Sequence, residues 1–443
     1  MAGLKKQFVC TNCGNTTPKW QGRCPQCGEW NTLAEQLVKG TSGSSSAGFK
    51  LSNSGLSGQV QQLSEVVEHS QSRFMSGLGE FDNVLGGGLV QGSLVLLGGD
   101  PGIGKSTLAL QLASNISIGK ESGGKSVLYI SGEESAQQIK MRAARLAAGS
   151  DISVMTETDL DLVIATIANA QPNLVIIDSI QTLNSQSVNG VVGGVSQLSY
   201  ATNALMRLAK ENNVAIILIG HVTKEGMLAG PKTIEHMVDV VLYLEGDRFG
   251  ALRLLRSSKN RFGSVGEVGI FEMQESGLVE VPNPSAMFLE HRDKPLPGSC
   301  VTATVEGNKV LLIEIQALTN TTTLSYPRRV ASGFDANRLQ LLLAIMQKSL
   351  GVNLSNQDVY VNVAGGYKVQ ERAADLPVVM AILSSYYGKA IPAGTIAFGE
   401  VGLLGEVRGV SQLEKRSKEA KKLGFDKLVS SKDTKTLKDI KVK

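Results

Sequence analysis

The chain has 443 residues, of which 42% are hydrophobic and only 5% are aromatic, and its formal net charge is +4. This length predicts two or three domains, and the 49 glycines indicate an α/β protein with many tight turns. No apolar run reaches the roughly 18 residues that a membrane-spanning helix needs. The residues before Val9 contain no apolar segment of a secretory signal. We therefore expect a cytoplasmic protein without a membrane partner.

Two Cys-x2-Cys pairs lie within the first 27 residues and are separated by ten residues. Their thiolates, from Cys10, Cys13, Cys24 and Cys27, predict a tetrahedral zinc site with every position filled by sulfur, which is the pattern of a structural metal. We expect the zinc to replace the hydrophobic core that residues 1–36 are too few to build. Disulfides are the alternative, and a reducing cytoplasm disfavours them.

Composition and apolar patterning divide the rest of the chain. Residues 37–60 are rich in Gly and Ser and predict a flexible linker. Within residues 61–284, strand-like apolar runs alternate with helical segments, which predicts a mostly parallel sheet with covering helices. The predicted strands are 94–98, 126–131, 174–178, 214–220 and 238–244. A proline-containing break near residue 284 separates this domain from residues 285–443.

A glycine-rich loop with the pattern G-x4-G-K-S follows the first of these strands and precedes a helix. Strand, loop and helix in this order predict a phosphate-binding loop for ATP or GTP. We expect the backbone N–H groups of the loop to bind phosphate oxygens, Lys105 to reach the outer phosphates and Ser106 to bind magnesium. The residues of the loop are Gly99, Asp100, Pro101, Gly102, Ile103, Gly104, Lys105, Ser106 and Thr107.

Three carboxylates follow other strands of the predicted sheet. Asp178 ends the run 174–177 and is a candidate magnesium ligand, with helix capping as the alternative. Glu133 and Glu134 follow another strand, and either one can activate the attacking water. The alternative for both is to begin a helix and stabilise its dipole. His221, after the run 216–219, is either a γ-phosphate sensor or a hydrogen-bonded core residue.

Two long glycine-rich loops, 184–197 and 222–233, also follow strands, and loops of this kind are usually functional. Further along, Lys259 and Arg261 lie in a cationic turn. They are candidates to neutralise phosphate on DNA or the γ-phosphate of a neighbouring subunit's nucleotide, with a solvated hairpin tip as the alternative. From Arg408 onward, twelve Lys or Arg against five Asp or Glu indicate either a DNA contact or a solvated helix face.

Over essentially its whole length the chain resembles the bacterial RadA family, also called Sms, of recombination and repair proteins. The resemblance rests on the cysteine pairs, the segment 76–88, the GDPGIGKST loop, the SGEES strand end and, above all, Lys-Asn-Arg-Phe-Gly at 259–263. It implies a RecA-like ATPase domain that binds ATP, in a hexameric ring. It assigns Lys259 and Arg261 to the γ-phosphate of the next subunit. It also implies movement along single-stranded and branched DNA, alongside the RecA recombinase in the nucleoid.

Residues 285–443 resemble the proteolytic domain of Lon, which uses a serine and a lysine. The segment 370–377 matches the surroundings of the serine but contains no serine. In the segment 405–415, Glu414 takes the position of the lysine and Lys415 is its neighbour. A serine–lysine mechanism needs its nucleophile. We therefore expect an α+β Lon-protease-like domain that has no peptidase activity, assembles the ring and presents a basic surface to DNA.

The sequence leaves more than one function open. The first hypothesis is an ATP-driven DNA motor that migrates branches, in which hydrolysis moves the loops 184–197 and 222–233. The second is a scaffold that ATP switches between DNA-binding or RecA-binding states without translocation. An ATP-dependent protease is the third, and the absence of a serine in 370–377 disfavours it.

Overall fold

The computed structural model describes residues 4–10, 16–17, 19–25, 27, 30, 33–39, 72–119, 124–146, 152–221, 232–246, 252–289, 295–322 and 326–440. Contacts divide the chain into two compact units, Met1–Glu68 and His69–Lys443. Over these described ranges, every helix is too short or too polar to cross a membrane.

The smaller unit contains a three-stranded antiparallel sheet. Strand β1 (Leu4–Cys10) pairs with β2 (Thr16–Thr17) on one side and with β3 (Leu33–Lys39) on the other. Because Leu4 pairs with Lys39, β3 extends three residues into the segment that the sequence predicts as a linker. The remainder of that segment, 40–60, lies outside the described residues.

The larger unit combines helices with a nine-stranded, a six-stranded and two small sheets. Its strands are β4 (Arg73–Phe74), β5 (Leu89–Val90), β6 (Leu94–Gly99), β7 (Val127–Ser131), β8 (Ser153–Thr156), β9 (Leu174–Asp178), β10 (Ala215–Ile219), β11 (Val240–Glu245), β12 (Leu252–Asn260), β13 (Val268–Gln274), β14 (Gly277–Glu280), β15 (Ser299–Glu306), β16 (Lys309–Thr321), β17 (Arg329–Ser332), β18 (Gln357–Val363), β19 (Thr395–Ala397), β20 (Glu400–Val401), β21 (Val407–Arg408) and β22 (Lys427–Val429). Its helices are α1 (Gly79–Leu85), α2 (Lys105–Ile118), α3 (Ala136–Arg145), α4 (Leu160–Ala170), α5 (Val195–Asn212), α6 (Lys232–Glu235), α7 (Pro284–Leu289), α8 (Ala336–Leu350), α9 (Asp375–Tyr387) and α10 (Leu413–Lys422).

The nine-stranded central sheet has the order β14-β13-β12-β11-β6-β10-β9-β7-β8. The six strands from β11 to β8 are parallel, and β12, β13 and β14 run antiparallel at one side. All five strands predicted from apolar runs are present, as β6, β7, β9, β10 and β11, within two residues of the expected bounds. The prediction of a mostly parallel sheet with covering helices is therefore confirmed.

Alternate residues of the central strands enter two different cores, because successive side chains of a strand point to opposite faces. In β6, Val95 and Leu97 pack in the core that contains Leu108 and Leu112 of α2. The intervening residues Leu94 and Leu96 pack in the core that contains residues of α4 and α5. Both faces of the sheet are thus covered, and the carboxyl ends of its parallel strands are the edge at which a ligand binds in such folds.

The C-terminal part has a six-stranded sheet in the order β17-β18-β16-β15-β19-β22. Helices α8 and α9 share one core with this sheet, whereas Ala420 of α10 packs in a separate core with residues of β15 and β16. Val268 and Ile270 of β13 enter the first of these cores, so the central sheet and the C-terminal part pack directly on each other. Mixed pairing with helices on the sheet agrees with the expected α+β domain.

Candidate nucleotide-binding site

The glycine-rich loop connects β6 to α2 at the carboxyl edge of the central sheet. Gly102 and Gly104 adopt positive φ angles of 77° and 114°, which glycine reaches without a steric penalty. A Cβ atom at Gly99 would lie 2.5 Å from the carbonyl oxygen of Leu244, whereas one at Gly102 would meet nothing within 4 Å. The loop therefore packs tightly against β11 on one side and has open space at Gly102, as a phosphate cradle requires.

Lys105, the first residue of α2, is buried and turns back into the loop. Its Nζ donates hydrogen bonds to the carbonyl oxygens of Gly99 (2.9 Å) and Asp100 (3.0 Å). Burial lowers the pKa of the Lys105 ammonium, and the charges of Asp178, Asp100 and Glu133 oppose that shift. The ammonium is thus held inside the loop, close to two carboxylates at the ends of neighbouring strands.

Asp178 is the last residue of β9 and pairs in register with Ser131, the last residue of β7. Its buried carboxylate accepts a hydrogen bond from the phenol of Tyr129, at 2.7 Å between Tyr129 Oη and Asp178 Oδ2. Asp178 and the hydroxyl of Ser106 are oxygen donors, the type that magnesium prefers, so both residues fit the predicted metal role. Tyr129 was not predicted as a site residue. It lies two residues before Ser131, the end of β7, and therefore on the same face of that strand.

Glu133 and Glu134 point in different directions. Glu133 Oε1 accepts a hydrogen bond of 2.6 Å from Ser179 Oγ and lies 3.3 Å from His221 Nε2. Glu134 instead forms an ion pair with Arg142 of α3. Of the two candidates, Glu133 is the one whose carboxylate faces the strand ends that carry Asp178 and His221.

His221 follows β10 and contacts the same group of residues. Gln181 donates a hydrogen bond of 3.4 Å from Nε2 to the carbonyl oxygen of His221. Within the described part of the chain, the buried His221 Nδ1 and Gln181 Oε1 have no hydrogen-bond partner. Ser179 and Gln181 were not predicted as site residues. Their position just after Asp178 in sequence is the signal that indicates them.

Lys259 and Arg261 lie at the opposite end of the sheet from the loop. Lys259 Nζ donates to the carbonyl oxygens of Glu235 (3.1 Å) and His236 (2.9 Å), before β11 begins. Arg261 donates to the buried Asp239, which also accepts from the backbone N–H of Leu94 at the start of β6. The register places Arg261 level with Leu94 and Lys259 level with Leu96 of β6, which lie about 16 and 10 Å before Gly99 at the rise of a β-strand. The two cations are therefore distant from Lys105 of their own chain.

The first predicted loop, 184–197, ends earlier than expected, because α5 begins at Val195. Gln197 is buried in that helix and donates to the carbonyl oxygens of Ser185 (3.0 Å) and Val188 (2.7 Å), which holds the base of the loop. At the tip, Val191 is 78% exposed and Val192 is 60% exposed. Of the second predicted loop, residues 222–231 lie outside the described residues, and 232–233 begin α6.

The segments that resemble Lon contain charged pairs instead of a serine and lysine. Asp375 begins α9, is buried and pairs with Arg338 of α8, whose Nε lies 2.9 Å from Asp375 Oδ1. Glu414 and Lys415 are both exposed on α10. The next residue, Arg416, is fully buried and forms a bidentate ion pair with Glu371. None of these pairs was expected, since their partners are more than 30 residues apart in sequence.

The cysteine cluster is described in part. Cys24 is buried, and Cys27 packs against it together with Phe8 of β1. An antiparallel bridge joins Arg23 and Trp30, the residues on either side of this pair. Two close cysteines fit a thiolate metal site. The side chain of Cys10 and the whole of Cys13 lie outside the described residues.

Three family models match separate parts of the chain. The model of an AAA domain matches residues 71–227, which include the phosphate-binding loop. The model of a rubredoxin metal-binding domain matches residues 8–35, which include all four clustered cysteines. The model of subunit ChlI of Mg-chelatase matches residues 315–434. The first two matches support ATP and zinc as cofactors.

Curated relatives match nearly the full chain. The chain is 47% identical to the DNA repair protein RadA of Bacillus subtilis (strain 168) over 430 residues, covering 97% of this chain and 93% of that protein. It is 48% identical to the protein of the same name from Pseudomonas aeruginosa over 431 residues, with 97% and 93% covered. The solved RadB recombinase is similar at 23% identity with a TM-score of 0.37, covering 47% of this chain and 99% of that one, which is too weak to add to the fold. Because these identities extend over nearly the full length of the chain, it belongs to the family of the DNA repair protein RadA.

Proposed function

We propose that the chain is an ATP-dependent DNA motor that migrates branches in homologous recombination and repair. It acts on single-stranded and branched DNA together with the RecA recombinase, in the cytoplasm at the nucleoid. The curated relatives that the chain matches are DNA repair proteins, and an AAA domain match covers the phosphate-binding loop. In this proposal ATP is hydrolysed between the subunits of a hexameric ring.

Within one subunit, the carboxyl edge of the sheet supplies most of the chemistry. Lys105 and the N–H groups of the loop would bind the phosphates, and Ser106 and Asp178 would hold a magnesium ion, which supplies positive charge against them. Glu133 is the general base for the attacking water, because its carboxylate faces Ser179 and His221 and is not engaged by a cation of α3. Glu134 keeps Arg142 in place.

The observation that carries the ring proposal is the position of Lys259 and Arg261. They bind Glu235, His236 and Asp239 at the end of the sheet that is opposite to the phosphate-binding loop. Separations along β6 of about 10 Å for Lys259 and about 16 Å for Arg261 exceed the reach of either side chain to a nucleotide on the same chain. Two cations at the opposite end are instead available to a nucleotide on an adjacent copy, where they would stabilise charge in the transition state.

DNA contacts are proposed for two parts of the chain. The loop 184–197 begins shortly after Asp178 and Ser179, so a change at the nucleotide reaches it through a few residues of backbone. Its exposed valines offer apolar contact to bases, and its base is held by Gln197. The basic surface of α10 and the residues after it, with Lys415 exposed, offers phosphate contacts.

Mixing two inactive variants tests the proposal. Lys105→Ala removes the phosphate contact of one subunit, and Lys259→Ala removes the cation that a neighbour donates. Mixed oligomers contain some interfaces with both residues intact, so we expect ATPase activity and branch migration to recover partly. Lys259→Ala mixed with Arg261→Ala is the matched control, because both variants damage the same side of the interface.

The outcomes separate the candidate functions. No recovery at any mixing ratio, with subunit exchange verified by mass, would refute the shared site. Recovery of ATPase activity without migration of branched DNA would favour the scaffold that ATP switches without translocation.

A further inference from the structure

The buried phenol of Tyr129 has an unusual position for a residue of a sheet core. Its ring packs in the core beside α2, among apolar side chains that include Ile176 of the neighbouring strand β9. Its hydroxyl reaches past them to Asp178 Oδ2, at 2.7 Å, where β9 ends. The side chain therefore connects the interior of the sheet to the candidate magnesium ligand at its edge.

The hydrogen bond fixes one oxygen of Asp178 and leaves the other for different partners. A phenol has a single proton to donate, and here it is donated to Oδ2. Within the described residues, Asp178 Oδ1 accepts no hydrogen bond, while the Lys105 ammonium lies close enough for its charge to interact with Asp178. The hydrogen bond thus holds the carboxylate of Asp178 in one orientation, and Oδ1 is the oxygen that remains for a cation.

The aromatic ring holds the phenol hydroxyl of Tyr129 in place beside Asp178. The core around the ring leaves it little freedom to move, because Tyr129 is 1% exposed.

We propose that Tyr129 is a positioning residue, which orients the Asp178 carboxylate so that Oδ1 meets the magnesium ion bound with the nucleotide. Magnesium demands near-ideal octahedral geometry, so a ligand that can rotate binds it less well. Groups that orient a metal ligand typically contribute about 10- to 100-fold to metal affinity. This inference rests on the proposed function, since it concerns the ion that accompanies ATP.

Equilibrium binding measures the effect without any turnover. The affinity for ADP is determined with magnesium and with EDTA, for the wild type, for Tyr129→Phe and for Tyr367→Phe. Phenylalanine keeps the ring and loses only the hydroxyl. Tyr367→Phe is the matched control, because Tyr367 is also buried and also hydrogen-bonds a carboxylate, that of Glu306 in the C-terminal part.

We expect the affinity for ADP in EDTA to be the same in all three proteins. With magnesium, the gain in affinity should be about tenfold smaller in Tyr129→Phe alone, at the lower end of the effect of a group that orients a metal ligand. In an Asp178→Asn background, Tyr129→Phe should have no further effect on this gain, because residues that act through one another are not additive.

Three results would overturn the inference. The first is an unchanged magnesium-dependent gain in Tyr129→Phe. The second is an equal loss of affinity with magnesium and with EDTA, which indicates a purely structural role. The third is an undiminished effect of Tyr129→Phe in the Asp178→Asn background. A wild type that binds no ADP under either condition would refute the proposed function itself, and the two failures are thereby distinguishable.

Discussion

Replacing Glu133 by glutamine should abolish most of the ATPase activity while leaving the protein folded and able to bind nucleotide. The substitution keeps the size of the side chain and an amide oxygen that can still accept from Ser179 Oγ, now 2.6 Å from Glu133 Oε1. The substitution removes the carboxylate oxygen that would accept the proton of the attacking water. General-base catalysis typically contributes about 10²- to 10⁴-fold, which corresponds to about 2.7 to 5.4 kcal/mol of barrier at 1.36 kcal/mol per tenfold. We therefore expect kcat to fall by that factor.

Glu134→Gln is the matched control one residue away. Its ion pair with Arg142 is partly exposed, with side-chain exposures of 28% and 23%, and such pairs contribute about 0 to 1 kcal/mol to stability. We expect kcat close to that of the wild type and a small decrease in the free energy of unfolding. Steady-state ATP hydrolysis and ADP binding are measured on both variants. An inactive Glu134→Gln beside an active Glu133→Gln would refute the assignment drawn from the directions of the two side chains.

Three further predictions follow from other parts of the chain. Arg416→Met removes the partner of Glu371 and should lower the free energy of unfolding, measured by urea denaturation, by about 3 kcal/mol. Arg408→Ala, the control at an exposed ion pair, should leave the urea midpoint unchanged, and equal losses in the two variants would contradict the role of burial. Removing zinc with a chelator should speed amide exchange in β3 but not in β6, because the two strands belong to separate compact units; unchanged exchange in β3 would argue against a structural metal. DNA affinity should fall steeply and linearly with salt on a double-logarithmic plot, because phosphate contacts release counterions; a flat response would exclude the basic surface as the main DNA contact.

Local chemistry made several features predictable from the sequence. The pattern of a phosphate-binding loop is local and therefore predictable. It consists of glycines that allow positive φ, followed by Lys105 and Ser106 at the start of a helix. Unbroken apolar runs are typical of strands covered on both faces, so the five central strands were found within two residues. The antiparallel strands β13 and β14 were not predicted, because their pattern mixes apolar and polar residues and depends on what packs on them.

The end of the predicted loop 184–197 also depended on contacts that the sequence does not show. Residues 195–197 were assigned to a loop because the segment is rich in glycine and polar residues, yet they begin α5. Gln197 reads as polar in sequence, but it is buried and bonds back to Ser185 and Val188. A helix that begins inside a polar segment is stabilised by contacts that only the folded chain makes.

The sequence by itself determined which polar groups stand at each strand end, since an apolar strand followed by a carboxylate or a glycine-rich turn is a local pattern. Only the tertiary structure decided which groups meet. Glu133 and Glu134 are adjacent and identical in type, and their contacts differ because one faces Ser179 and the other faces Arg142. Lys259 and Arg261 are remote from Lys105 because the antiparallel return of β12 carries them to the far end of the sheet. Strand order and register set these distances, and both arise from packing between segments far apart in the chain.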